Sequence, residues 1–116
     1  MSDTDVQAFA RAWQAGWNSH DLDRILAHYS DDVLFHSLKA RAVTGSGEIC
    51  GKAALRAYWA QALVAQPDLL FTVEDVFAGH EMMVITYRNH HRVLAAETLY
   101  FGLDGLVNRA AACHAE

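Results

Sequence analysis

Proline occurs once in the 116 residues, at position 67, so almost every stretch is free to continue a helix or to donate to a sheet ladder. Cysteine occurs twice. Cys50 and Cys113 have no companions at metal-ligand spacing, and two thiols give neither a disulfide framework nor a cysteine-based zinc site. Basic residues are scarce: 9 Lys and Arg stand against 14 Asp and Glu, and the net charge of −5 repels a polyanion, so no nucleic acid is expected as a partner. No apolar run approaches the ~18 residues of a membrane span. The opening Met1-Ser2-Asp3-Thr4-Asp5 is acidic and polar where a secretory signal is basic and then apolar. A cytoplasmic location without membrane contact is the expectation. What is present is core material. Hydrophobic residues make up 53% of the chain and charged residues 20%, enough for one core in one domain spanning 1–116.

Thr4-Asp5-Val6-Gln7 has the form of a capping box, in which a hydroxyl and a carboxamide satisfy the first free N–H groups of a helix. Val6, Phe9, Ala10, Trp13 and Trp17 follow at spacings of three and four, which predicts a helix of about four turns with one apolar face. Ser19 or Asp21 can cap a short second helix whose Leu22, Ile25, Leu26 and Tyr29 share a face and which Ser30-Asp31-Asp32 ends. Val33 to Leu38 reads as a strand, and the glycine-containing stretch from Lys39 to Gly51 as a loop or ragged hairpin. Lys52 to Gln66 is alanine-rich with helical spacing and is stopped by Pro67. Four strands follow, Leu70 to Phe77, Met82 to Asn89, Arg92 to Phe101 and Leu106 to His114, joined by links short enough to favour antiparallel neighbours. Three helices followed by mostly consecutive strands predict an α+β fold with the helices on one face of the sheet.

Four segments carry a family resemblance: Trp17-Asn18-Ser19-His20-Asp21-Leu22-Asp23, Tyr29-Ser30-Asp31-Asp32-Val33, Gly51-Lys52-Ala53-Ala54-Leu55-Arg56-Ala57-Tyr58-Trp59 and Phe101-Gly102-Leu103-Asp104-Gly105-Leu106-Val107. In order and spacing they resemble the nuclear transport factor 2-like superfamily over nearly the whole chain, and more closely its SnoaL-like and ketosteroid isomerase-like bacterial members. The resemblance implies a cone: a curved, mostly antiparallel sheet and three helices from the N-terminal half, enclosing an apolar pocket, with the opposite sheet face commonly forming a homodimer. It does not select an activity, because members of that superfamily include isomerases, cyclases, dehydratases and binding modules. Laid on the isomerase pattern, Trp13 stands where those enzymes carry an oxyanion tyrosine and Ser37 where they carry the general-base carboxylate. Glu97 falls on the protonated acid of the oxyanion hole, and His114 on a last-strand aromatic of the pocket wall. With base and phenol both replaced, the isomerisation by that route is not expected.

The residues themselves point the same way at Glu97. Alternation puts it on one strand face with Val93, Ala95, Leu99 and Phe101, a face otherwise apolar. A carboxyl group there is either a desolvated acid able to transfer a proton, or a partner of Arg88, Arg92 or Arg109. His36 and Ser37 point to opposite faces of their strand, so one of them looks inward; the family register selects Ser37. A Ser37–His114–Glu97 arrangement is formally available, although no nucleophile-elbow sequence surrounds the serine. His114 is a polar wall residue or a fraying terminal one. The candidate catalytic set is therefore Glu97, Ser37 and His114.

Aromatic side chains at helical spacing are mostly core, but some must line any cavity, and Trp13, Tyr29 and Tyr58 are the first choices to orient a small apolar or aromatic ligand. Trp17, Leu99 and Asn108 complete the ligand-binding set. His80, His90 and His91 lack the spacing of a metal site, so neither metal nor cofactor is expected. Gly45 to Ala53 has the glycines and lysine of a phosphate-binding loop. Five residues separate Gly45 from Gly51 where four are needed, and Ala53 stands at the magnesium-ligand position, which excludes nucleotide binding there. The activity expected is acid–base chemistry of isomerase, cyclase or dehydratase type on a small carbonyl compound; the alternative is a ligand-binding or dimerisation module without turnover.

Overall fold

In the computed structural model, which describes residues 3–115, the elements follow in the order α1 (Asp3–Ser19), α2 (Leu22–Leu26), β1 (Tyr29–Ser37), α3 (Leu38–Thr44), β2 (Glu48–Cys50), α4 (Lys52–Ala65), β3 (Thr72–Gly79), β4 (Met82–Arg88), β5 (Leu94–Phe101) and β6 (Val107–His114). The strands form one curved, unclosed sheet in the order β2-β1-β6-β5-β4-β3. All neighbours are antiparallel except β1 and β6, which run parallel, as strands separated by a long connection can. This is the expected α+β arrangement with a mostly antiparallel sheet.

Three boundaries differ from the sequence expectation. The chain is already helical at Asp3, so the backbone at Thr4 lies inside α1 rather than at its cap. Tyr29 to Asp32 belongs to β1 and does not end α2: Ala27 closes that helix, and Tyr29 pairs with Val107 of β6. The stretch read as a loop holds a fourth helix and a sixth strand. Ser37 N-caps α3, its Oγ accepting from the Ala40 N–H at 3.4 Å. Gly45 closes α3 in the left-handed region (φ 86°) and donates to the Arg41 carbonyl, the usual use of glycine just past a helix. β2 then pairs with β1 through Leu34, Phe35 and His36.

The end of α1 and the turn that follows it are built for attachment. Asn18 brackets Phe71, its Nδ2 donating to the Phe71 carbonyl at 2.9 Å while its Oδ1 accepts from the Phe71 N–H at 2.8 Å. Gln14 Oε1 accepts from the Val73 N–H, His20 Nε2 meets the Leu69 carbonyl, and Asp21 caps α2 through the N–H groups of Asp23 and Arg24. Asn18 and His20 thus satisfy backbone groups in the segment between α4 and β3, and Gln14 one near the start of β3. They fasten α1 along the start of β3, and that holds the apolar face of α1 against the inner face of the sheet.

That inner face is lined by aromatic packing. Trp13 stacks on Phe71 at 5.5 Å, Phe71 meets Tyr87 at 4.7 Å, and Trp59 takes edge contacts from Trp17, Tyr29 and Phe35. Each such buried ring contributes on the order of 2–3 kcal/mol. No described helix covers the outer face, where Phe77, Val84, Thr98, Ala111 and His36 form one row across five strands.

Candidate functional site

Between the inner face and α1, α3 and α4 lies a cavity of about 80 Å³. Trp13, Trp17, Phe35, Tyr58, Trp59, Leu69 and Phe71 supply its apolar wall, and Glu97, Tyr87, Ser37, His114, Lys39, Asn89 and Gln66 its polar groups. β5 delivers Glu97 by alternation: Ala95, Glu97 and Leu99 face inward, and Glu97 is 5% exposed.

Burial pushes the Glu97 carboxyl up to about 8, and the Tyr87 hydroxyl, 3.4 Å from Oε1, offsets this only in part. Among the described residues no arginine pairs with it. Arg88 pairs with Glu74 and donates to the Arg92 carbonyl, and Arg109 lies over the Tyr100 ring. Of the two states open to Glu97, the neutral acid is therefore the one the surroundings favour near pH 7. Tyr87 and Tyr29 are both raised, Tyr29 well above its usual range, first by burial and then by the nearby Glu97 carboxyl. The Trp13 indole N–H and the Tyr29 hydroxyl lie buried and adjacent without closing a hydrogen bond.

The register sets the remaining distances. Ser37 pairs with Ala112, and Ala112 with Glu97, so Ser37 and Glu97 lie two strands apart, roughly 10 Å. His114, two residues beyond Ala112, is diagonal to both. Among the described residues no hydrogen bond joins the three, and Ser37 Oγ is already engaged in capping α3 beside the Tyr58 hydroxyl. A connected nucleophilic triad is thus not assembled. Burial, and then the Lys39 ammonium, lower His114, leaving a neutral imidazole near pH 7. His36 faces away from the cavity and meets Glu48 at 3.0 Å.

Trp13, Trp17, Tyr58, Ser37, Glu97 and His114 therefore come together around the cavity, and three other expected site residues do not. Leu99 shares the Glu97 face but lies deeper, fully buried against Ala110. Tyr29 is likewise fully buried, behind the wall. Asn108 is exposed: the register shift opposite Tyr100 and Phe101 turns Val107 inward and Asn108 out, beside Gly102. His90 and His91 stack in the β4–β5 turn at 4.0 Å, and among the described residues no cluster of three His, Cys, Asp or Glu side chains is placed to hold a metal. No described helix is long and apolar enough to cross a membrane.

The family model for the SnoaL-like domain matches residues 10–113. The chain belongs to the SnoaL-like family. Its fold is nearly superimposable on a SnoaL-like protein of unknown function from Burkholderia thailandensis, at 38% identity and TM-score 0.96, covering 100% of this chain and 99% of that one. A proposed ketosteroid isomerase from Kribbella flavida (20% identity, TM-score 0.76, 97% and 79% covered) shares the fold. So does a proposed polyketide cyclase from Sinorhizobium meliloti (12%, 0.77, 97% and 100%). As a member of the SnoaL-like family, the chain falls within the nuclear transport factor 2-like superfamily. No curated protein sequence matches it.

Sequence reasoning did not assign Lys39, Gln66, Asn89 or Tyr87 to the site of this SnoaL-like domain. Tyr87 was readable: it alternates with Ile85 and Met83 toward the helices and stands opposite Ala95, diagonal to Glu97. Lys39 was hidden by the loop assigned to its segment, although Ser37 followed by Leu38-Lys39-Ala40-Arg41-Ala42 has the form of a capped helix start.

Proposed function

We propose that the cavity binds a small carbonyl compound with an apolar body, and that Glu97 as a neutral acid donates toward the carbonyl oxygen. The observation that carries this is a buried carboxyl on the wall of an aromatic cavity, with no cation in contact with it among the described residues. His114, neutral and on the same wall, is the base in this proposal. The Glu97 proton passes to the carbonyl oxygen while the imidazole takes a proton from the α-carbon, giving an enol and an imidazolium. Reversal at the same or another carbon returns both protons. Two structural relatives carry isomerase and cyclase names, and enolisation is compatible with either.

Proton NMR of acetophenone in deuterium oxide tests it. Wild type should accelerate loss of the α-proton signal, and Glu97→Gln should not. Equal exchange by the two proteins removes Glu97 from the chemistry. The engagement of Ser37 as a helix cap favours a second reading, a binding module without turnover; ligand binding with no exchange in wild type selects it.

The outer sheet face is proposed to pair with a second copy of the chain. Val84, Ala96, Thr98 and Ala111 are small and partly buried at its centre, Phe77 and Tyr100 are 56% and 41% exposed, and Arg88, Arg109 and Asp75 supply both signs of charge. Such a face lets an identical face approach without like-charge repulsion.

A further inference from the structure

We propose that this cavity selects a ligand bearing a carboxylate or similar anionic group, with Lys39 at the mouth taking the anion while the ligand's carbonyl end lies toward Glu97. The inference rests on the carbonyl-binding reading above and adds the charge and orientation of the ligand. Two features of the fold carry it. The polar groups are graded by depth: Glu97 and Ser37 are buried, whereas Lys39 is exposed and Gln66, Asn89 and His114 are half-buried. Among the described residues lining the cavity, Lys39 is also the one lysine or arginine and Glu97 the one Asp or Glu.

The capped helix makes Lys39 part of the site. Ser37 ends β1 at the cavity wall and starts α3, so the chain turns there and Lys39 follows two residues later on the rim. Ser37 itself stands roughly 10 Å across the sheet from Glu97, two strand spacings away. A benzene ring with one substituent at each end spans a similar length, with its faces against Trp13, Phe71 and Tyr58. His114, Asn89 and Gln66 offer neutral hydrogen-bonding groups around the anion.

Electrostatics agree with that placement. With Glu97 protonated near pH 7, the lining carries a net charge of +1 from Lys39, although the whole chain carries −5. The Lys39 field is felt at the wall, where it helps to keep His114 deprotonated. Lys39 has no carboxylate partner among the described ion pairs, so its ammonium is available to a ligand.

The probes are 4-acetylbenzoate and its uncharged counterpart 4-acetylbenzamide, titrated against the fluorescence of Trp13, Trp17 and Trp59 at pH 7. Wild type should bind the carboxylate about fivefold tighter than the amide, the upper range for one lysine–carboxylate pair at a surface. Lys39→Met should abolish that preference, and Lys39→Arg should retain it. Lys39 is exposed, so the variants are expected to fold, and circular dichroism checks this. Equal affinity of wild type for both probes, or a preference that survives in Lys39→Met, overturns the proposal and leaves the carbonyl reading standing. Binding of neither probe to wild type sinks both.

Discussion

Tyr87 reaches diagonally from β4 to β5 and brings its hydroxyl to within 3.4 Å of Oε1 of Glu97, while Oε2 has no hydrogen-bond partner among the described residues. The tyrosine donates and the carboxyl accepts. One oxygen is thus held and the other is left to carry the proton. Because the contact is long, it counters only part of the desolvation that raises Glu97.

Glu97→Gln should stabilise the protein near neutral pH. The unfolded carboxyl titrates near 4.5 and the folded one near 8, so between these values the unfolded state holds fewer protons than the folded state. The Glu97 contribution to stability is therefore fully present below about pH 4.5 and is lost as pH rises through 8. At pH 7 the loss is at most about 3.5 kcal/mol at ~1.4 kcal/mol per pH unit. The glutamine variant lacks this slope. Thermal melts from pH 5 to 8 should show its advantage over wild type growing with pH, and a variant less stable than wild type at pH 7 would mean that Glu97 is ionised and stabilised as an anion.

Tyr87→Phe removes the one hydrogen bond seen on Glu97. That bond favours the carboxylate, so its loss should raise the Glu97 titration further and cost about 1 kcal/mol of stability. Carbon-13 NMR of the glutamate carboxyl reads the first effect. A midpoint that stays put or moves down would show that Tyr87 does not donate to Glu97.

The order of elements and the inward set of β5 were legible because both depend on local periodicity: Ala95, Glu97 and Leu99 alternate whatever the partner strand does. Ser37 was placed inward only through the family register, since alternation alone leaves His36 equally eligible. Asn108 was misplaced because a register shift between strands leaves no mark on hydrophobic alternation. Lys39 was missed for a different reason. Three glycines, Gly45, Gly47 and Gly51, weighed more in reading the segment than the capped turn ahead of them, and α3 is a short helix. Depth within the cavity also lies beyond a sequence pattern: Leu99 and Glu97 share a face, yet one packs into the core and the other lines the cavity wall.

Asn18→Leu should destabilise the fold by about 1–3 kcal/mol, because it strips partners from both the N–H and the carbonyl of Phe71 in a part-buried setting. Urea unfolding measures this. Asn18→Asp keeps the acceptor for the Phe71 N–H and loses the donor, so it should fall between wild type and Asn18→Leu. A neutral Asn18→Leu would assign the attachment of α1 to aromatic packing alone.

The outer sheet face carries no described helix. Val84 on β4 pairs with Thr98 on β5, and Thr98 with Ala111 on β6, so Thr98 sits at the middle of the outer row with Phe77 at one end. If a second copy covers this row, a charge at its centre is buried in both protomers at once and faces its own symmetry mate, which combines desolvation with like-charge repulsion. Thr98→Glu should therefore convert a dimer into the 12.9 kDa chain at micromolar concentration, while the monomer keeps its fold because Thr98 points away from the core. A control, Val64→Glu on the exposed side of α4, should leave the assembly intact. Sedimentation equilibrium on wild type and both variants decides it: a wild type that sediments as the single chain, or a Thr98→Glu variant that remains dimeric, would show that this face stays open to water.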